Sequence, residues 1–288
     1  MKASNLEIIR LNNLKLGAKI ISEQLKHGLH LGKKTGVGLE FEQYRYYEPG
    51  DDPKRIDWKY FSRSGKHMIK ESQTESHLNI RMLLDLSGSM NYEENGFKRL
   101  DYAKNLIASL AYMANQQGDA LSFFTFQDGK VSQKVAPSPK AFQRIIYQLE
   151  QDQASGSWPI NKQDFPELKS KQKELIIFVS DFFQKESEWI EIVEQMRHPK
   201  KEIVLFQILG DQELNFDQKG NFKFEDLESN RSIDLDGETV RKTYNEAIKS
   251  YLTNLRQAFH LPQVHYYEVK MSEPIAEVIS RFLADRQL

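Results

Sequence analysis

From residue 79 onward the chain repeats one alternation: a short run of strand-forming apolar residues, then a longer stretch with helical spacing. The runs are IRMLLD (80–85), ALSFFTF (120–126), ELIIFVSD (174–181), EIVLFQIL (202–209) and VHYYEV (264–269). Residues 98–117, 138–150, 186–197, 239–260 and 273–284 read as the intervening and closing helices, with Pro199 ending the third. In the first of them Leu100, Ala103, Ile107, Leu110, Ala111 and Ala114 fall on one face. The first two runs are too uniformly apolar to have a wet side, so helices must cover both sheet faces. The pattern therefore predicts an α/β fold, a doubly wound and mostly parallel sheet with helices on both faces.

Around this core the chain divides into two expected parts, 1–78 and 79–288. Residues 5 to about 29 predict an N-terminal helix, interrupted near Gly17, and 32–38 (GKKTGVG) a loop. The aromatic and charged segment that follows predicts short strands and turns, with EPGDDP as a strong turn signal. Its Arg45, Asp51, Asp52, Arg55 and Asp57 are expected to form a salt-bridged brace over aromatic packing. Within 79–288, the polar stretch 211–238 predicts an excursion of hairpins turning at DQKG and DLDG. Neither of these continues through the twelve-position ligand pattern of a calcium loop.

Composition removes whole classes of function. There are no cysteines, which excludes disulfides, thiolate catalysis and Cys-ligated metals. Lys plus Arg number 40 against 41 Asp plus Glu, so no global field favours nucleic acid or an anionic membrane. No segment approaches the roughly 20 apolar residues of a membrane span, and the first residues lack a signal peptide's apolar run. The expectation is a soluble, cytoplasmic protein. The seven histidines show no metal-ligand spacing, and no GxxxxGK[ST] loop is present.

Chemistry concentrates where apolar runs end. In doubly wound sheets ligands bind outside the carboxyl ends of the strands, where strand order reverses. Two such ends carry acids: Asp85 in LLDLSGSM and Asp181 in IIFVSDFF. Alternate residues leaving a strand share a side, so Asp85, Ser87 and Ser89 can converge, with Gly88 permitting the turn. Carboxylate and hydroxyl oxygens, with water completing the shell, suit a hard cation such as Mg2+, or Mn2+ or Ca2+ in its place. The alternative reading is that Asp85 caps the next helix or turn while the serines satisfy loop backbone. No histidine nearby in sequence activates either serine as a nucleophile.

These residues carry a resemblance. DLSGSM resembles the DxSxS metal-ion-dependent adhesion motif of von Willebrand factor A domains. The block 36–71, GVGLEFEQYRYYEPGDDPKRIDWKYFSRSGKHMIKE, resembles the signature of the bacterial family called domain of unknown function 58, in which such a block precedes an A-type domain. Phe41, Arg45, Tyr47, Pro49, Gly50, Asp51, Asp52, Arg55, Ile56, Asp57 and Trp58 stand at its signature positions. The resemblance implies a metal site of Asp85, Ser87, Ser89 and Asp181. Its fifth ligand is a second-loop hydroxyl, usually Thr after Gly-Gly, for which Ser157 in QASGSWPINKQDF is the candidate.

It also implies a non-enzymatic, metal-dependent protein-binding module, an adaptor or co-chaperone for an AAA+ ATPase of MoxR type. The alternative from another class is a Mg-dependent phosphotransfer hydrolase using Asp85. Such phosphatases resemble DxD at this place, and position 87 is Ser.

Overall fold

The computed structural model describes residues 3–29, 43–48, 51, 53, 56–71, 78–157, 173–184, 186–217, 220–225, 227 and 232–286. The chain forms two compact units, 1–31 with 78–288, and 32–77.

The larger unit begins with two helices, α1 (Asn5–Arg10) and α2 (Leu14–Leu29). Ser4 caps α1 reciprocally with Glu7, its hydroxyl accepting from the Glu7 N–H while the Glu7 carboxylate accepts from the Ser4 N–H at 2.7 Å. The predicted interruption near Gly17 falls instead at residues 11–13. There Asn12 takes the left-handed conformation (φ 49°) and Asn13 Oδ1 caps the Leu16 N–H at 2.9 Å. Gly17 lies inside α2, where a Cβ would sit 2.9 Å from Asn105 Oδ1 and 3.0 Å from Ile8 Cγ2. It serves as a contact point between helices.

The smaller unit pairs β1 (Gln43–Tyr46) antiparallel with β2 (Met68–Glu71) across α3 (Trp58–Ser64). Asp57 Oδ1 caps α3 by accepting from the Tyr60 N–H at 2.9 Å, and Gly65 ends it at φ 67°. Asp51 likewise accepts from the Glu48 N–H at 3.0 Å. Two acids of the expected brace thus bind backbone; the Arg45 side chain, Asp52 and Arg55 lie outside the described residues, as does the 32–38 loop.

The rest of the larger unit follows in order: β3 (Asn79–Asp85), β4 (Glu93–Glu94), β5 (Phe97–Lys98), α4 (Arg99–Gln116), β6 (Ala120–Gln127), β7 (Lys130–Ser138) and α5 (Phe142–Gln151). Then come β8 (Glu174–Ser180), α6 (Glu186–Met196), β9 (Lys201–Leu209), α7 (Asp211–Leu214), β10 (Asn221–Glu225), β11 (Ser232–Asp236), α8 (Gly237–Ala258), β12 (Val264–Lys270) and α9 (Ile275–Asp285).

Six strands form the main sheet in the order β12-β9-β8-β3-β6-β7. All its pairs are parallel except β6 with β7, a hairpin whose turn residues Asp128 and Gly129 both have positive φ, as a type I′ turn requires. The predicted fold class is the observed one. On one face Met82, Leu84, Phe123, Val179 and Phe206 pack with residues of α1, α2, α4, α5 and α9; on the other Leu83, Phe124, Phe178 and Leu205 pack with Trp189, Val193 and Leu255 of α6 and α8.

The N-terminal helices belong to this core, since Ile8, Ala18, Ile21 and Leu25 are buried in it. The expected division at 78/79 had grouped them with the smaller unit. Among the described residues of the excursion at 211–238, β10 pairs antiparallel with β11 after the short α7. DLDG is a strand end and helix cap, Asp236 accepting from the Glu238 N–H at 3.3 Å; Gln218 and Lys219 of DQKG lie outside the described residues.

Candidate functional site

The chain leaves β3 toward β6 on one side and returns through β8 on the other, so strand order reverses across β3. Asp85 ends β3 and Asp181 follows β8, its neighbour, which puts both acids at the switch point.

Asp85 is fully buried. Its Oδ1 accepts from the Ser87 N–H at 2.8 Å, an Asx turn that bends the chain out of the strand, and its Oδ2 accepts from Ser180 Oγ at 2.6 Å. Gly88–Asn91 then forms one 3-10 turn that brings Ser89 Oγ to 3.0 Å from Ser87 Oγ. Burial, and next the charge of Asp181, push the Asp85 carboxyl up to about 7 against the hydrogen bonds from Ser180 and Ser87.

Asp181 is also fully buried, and its partner is a cation of the chain itself. Arg99, the first residue of α4 and 1% exposed, donates from Nη1 to Asp181 Oδ2 at 2.5 Å and to the Ser89 carbonyl at 3.2 Å, and from Nη2 to Glu213 Oε2. Burial opposes the Arg99 charge, but Asp181 and Glu213 outweigh it and raise its pKa. Its guanidinium lies 4.8 Å from the Tyr92 ring centre and 5.8 Å from that of Phe183.

The backbone after Asp181 is strained: Phe182 has φ 55°, unusual for so bulky a residue. It is held there by complete burial of its ring against Phe178, Trp189 and Phe259, and by Tyr251, whose hydroxyl donates to its carbonyl.

Ser157 sits on the adjoining loop. That loop is docked on the Asp85 turn by Gly88 N–H to Gly156 O at 2.9 Å, Ser155 N–H to Leu86 O at 2.9 Å and Asn91 Nδ2 to Ala154 O at 2.8 Å. Ser157 itself is exposed. Trp158 and Pro159 lie outside the described residues.

Of the five predicted ligands, then, Asp85, Ser87 and Ser89 form one cluster, Asp181 adjoins it in an ion pair, and Ser157 stands at the rim. The two hydroxyls hydrogen-bond to each other at 3.0 Å, a separation close to the about 2.9 Å between two ligands at adjacent corners of an octahedron with bonds of about 2.0–2.1 Å. Among the described residues no group of three or more His, Cys, Asp or Glu is placed to hold a metal ion.

Arg99, Ser180 and Glu213 were missed from sequence. Glu213 had a signal, because GDQEL follows the buried run EIVLFQIL and is a third acidic strand end. Arg99 had none, since a base at a helix start is ordinarily solvated.

The sequence model of a family described as protein of unknown function DUF58 matches residues 43–253. The chain belongs to the DUF58 family. Uncharacterized proteins of Mycobacterium tuberculosis and Mycobacterium bovis are 28% identical to this DUF58 chain over 111 residues, 38% of it and 35% of the relative. The match thus spans about a third of these curated relatives' length.

Among solved structures, the hypothetical protein BatB of Bacteroides thetaiotaomicron is similar with a TM-score of 0.46 and 14% identity, covering 73% of the DUF58 chain and 98% of BatB. The VWA domain of SpRpn10 is similar with a TM-score of 0.42 and 12% identity, covering 70% and 93%. No helix among the described residues is long and apolar enough to cross a membrane.

Proposed function

We propose that this chain is a non-enzymatic, metal-dependent protein-binding module. In this reading Asp85, Ser87 and Ser89 hold Mg2+, or Mn2+ or Ca2+ in its place, and an acidic residue of a partner protein docks against the ion. The observation that carries it is the pair of serine hydroxyls 3.0 Å apart beside buried Asp85 at the switch point. A dication seated on few charged ligands would supply an electrophilic centre for a carboxylate. Asp181 contributes charge to the site while engaged with Arg99.

The partner class comes from the family resemblance of block 36–71: an AAA+ ATPase of MoxR type, which the chain serves as adaptor or co-chaperone in the cytoplasm. The hydrolase alternative gains no support, because Ser87 stands where such enzymes carry a second acid.

Calorimetric titration of the full chain with Mg2+ and Mn2+ is expected to give saturable heat that Asp85→Ala abolishes. Absence of heat in both proteins would remove the metal from the reading. Affinity capture from the source cell is expected to retain an AAA+ ATPase with the native chain and lose it with Asp85→Ala.

A further inference from the structure

Beside Ser89 a cleft of about 340 Å³ opens between the Asp85 turn and the 211–236 excursion. Four rings line it, Tyr92, Phe183, Phe216 and Tyr244, together with Leu227. Among the described residues its charged lining is the Arg99, Asp181 and Glu213 triad. Glu94 adjoins it, accepting from the Tyr92 hydroxyl at 3.1 Å and from the Gln212 N–H at 3.3 Å.

Among the described residues Asp181, Glu213 and the adjoining Glu94 thus stand against the one guanidinium of Arg99, an excess of two negative charges. Adding Asp85 together with a dication at the serines still leaves one in excess. Burial first and Glu213 next raise the pKa of Tyr92 and push the Tyr244 hydroxyl up to about 12, against the opposing charge of Arg99.

Aromatic walls with surplus negative charge attract a cation whose stem is apolar, because ring faces and carboxylates both favour the charged head while the stem covers Leu227 and Phe216. We infer that this cleft receives an arginine or lysine side chain of a protein partner. The inference is independent of the metal reading, which concerns a partner's acid. Arg99 already shows the cleft's preference, held between two carboxylates and against two of its rings.

The test uses the full chain in EDTA at low salt, titrated with Nα-acetyl-arginine amide and followed by backbone amide NMR and calorimetry. Saturable shifts are expected at Ser89, Gln212 and Leu227 with a dissociation constant on the order of 1 mM, a weak single-residue affinity. The uncharged isostere Nα-acetyl-citrulline amide is expected to bind at least about tenfold more weakly. Tyr244→Leu, on a half-buried helix face, should weaken the arginine amide roughly tenfold with the fold intact, and Tyr244→Lys should block it.

Equal binding of the citrulline or a leucine amide, shifts outside the cleft, or no response would overturn the inference. Asp85→Ala separates the two readings, since it removes metal heat under the first and leaves the arginine response under the second.

Discussion

Asp85 is held more firmly by the protein than a surface carboxylate, and this gives its charge a cost that can be read. Its pKa is raised to about 7 in the folded chain against 3.8 as its ordinary value, so the folded state retains a proton that the unfolded state has released. The associated stability is fully present below about pH 4 and is lost as pH rises through about 7. In EDTA, urea unfolding is expected to show stability falling by a few kcal/mol between pH 4 and 8, with Asp85→Asn removing most of that slope. A flat profile in the native chain would contradict a carboxylate buried beside the charge of Asp181.

Arg99 gives a prediction of opposite kind. Arg99→Ala leaves Asp181 and Glu213 buried without their cation, which should cost about 3–5 kcal/mol in denaturant unfolding. Arg99→Leu combined with Asp181→Asn and Glu213→Gln should recover a large part of it. At this scale the site was half legible. Asp85, Ser87 and Ser89 follow from alternation past a strand end, whereas the inward turn of Arg99 depends on Glu213, 114 residues away.

Elements were legible where burial alone decides them. β3, β6, β8 and β9 are largely apolar and buried on both sides, and α4 is buried around most of its circumference, the run 105–111 without a break, so length and apolar content identified them. What failed was local. The break between α1 and α2 is made by Asn12 and Asn13, which caps and left-handed backbone favour, while the glycine that seemed the natural breaker is a packing contact. Asp236 could close a turn or cap a helix, and only the following 22-residue α8 decides for the cap.

The same distinction between freedom and proximity applies at Gly88. A Cβ there would lie 2.2 Å from the Leu227 carbonyl oxygen and 3.1 Å from the Gly156 carbonyl oxygen. The glycine is required because two loops meet on it. Gly88→Ala is therefore expected to cost about 1–3 kcal/mol, as other overpacking does. It should also shift the amide signals of the 153–157 loop and Leu227, a change that a purely conformational cost at residue 88 would not produce.

At the level of the whole molecule, the N-terminal helices decide what a functional fragment must contain. Ile8, Ile21 and Leu25 are each at least 96% buried against the face formed with α4 and α9. Full burial of such side chains is worth about 1.5–3 kcal/mol each. Together that is comparable to the roughly 5–15 kcal/mol that holds a typical domain folded. Asn5 adds a fixed attachment, donating to the Met271 and Glu273 carbonyls at 3.1 and 2.8 Å and accepting from the Ile275 N–H at 3.2 Å. It thereby ties α1 to the join of β12 and α9.

A fragment beginning at residue 32 retains every candidate ligand and the matched family segment, yet it exposes this face and the backbone groups that Asn5 serves. It is expected to lose cooperative thermal unfolding, or to unfold at least about 10 °C lower than the full chain, since each kcal/mol lost moves the midpoint of a domain this size by about 2–4 °C. Adding a peptide of residues 1–31 in trans should restore part of the loss, because its contacts are made by the peptide's own apolar face. An unchanged midpoint in the fragment would mean that the first 31 residues are an appendage, and that the sheet with α4 and α9 is complete without them.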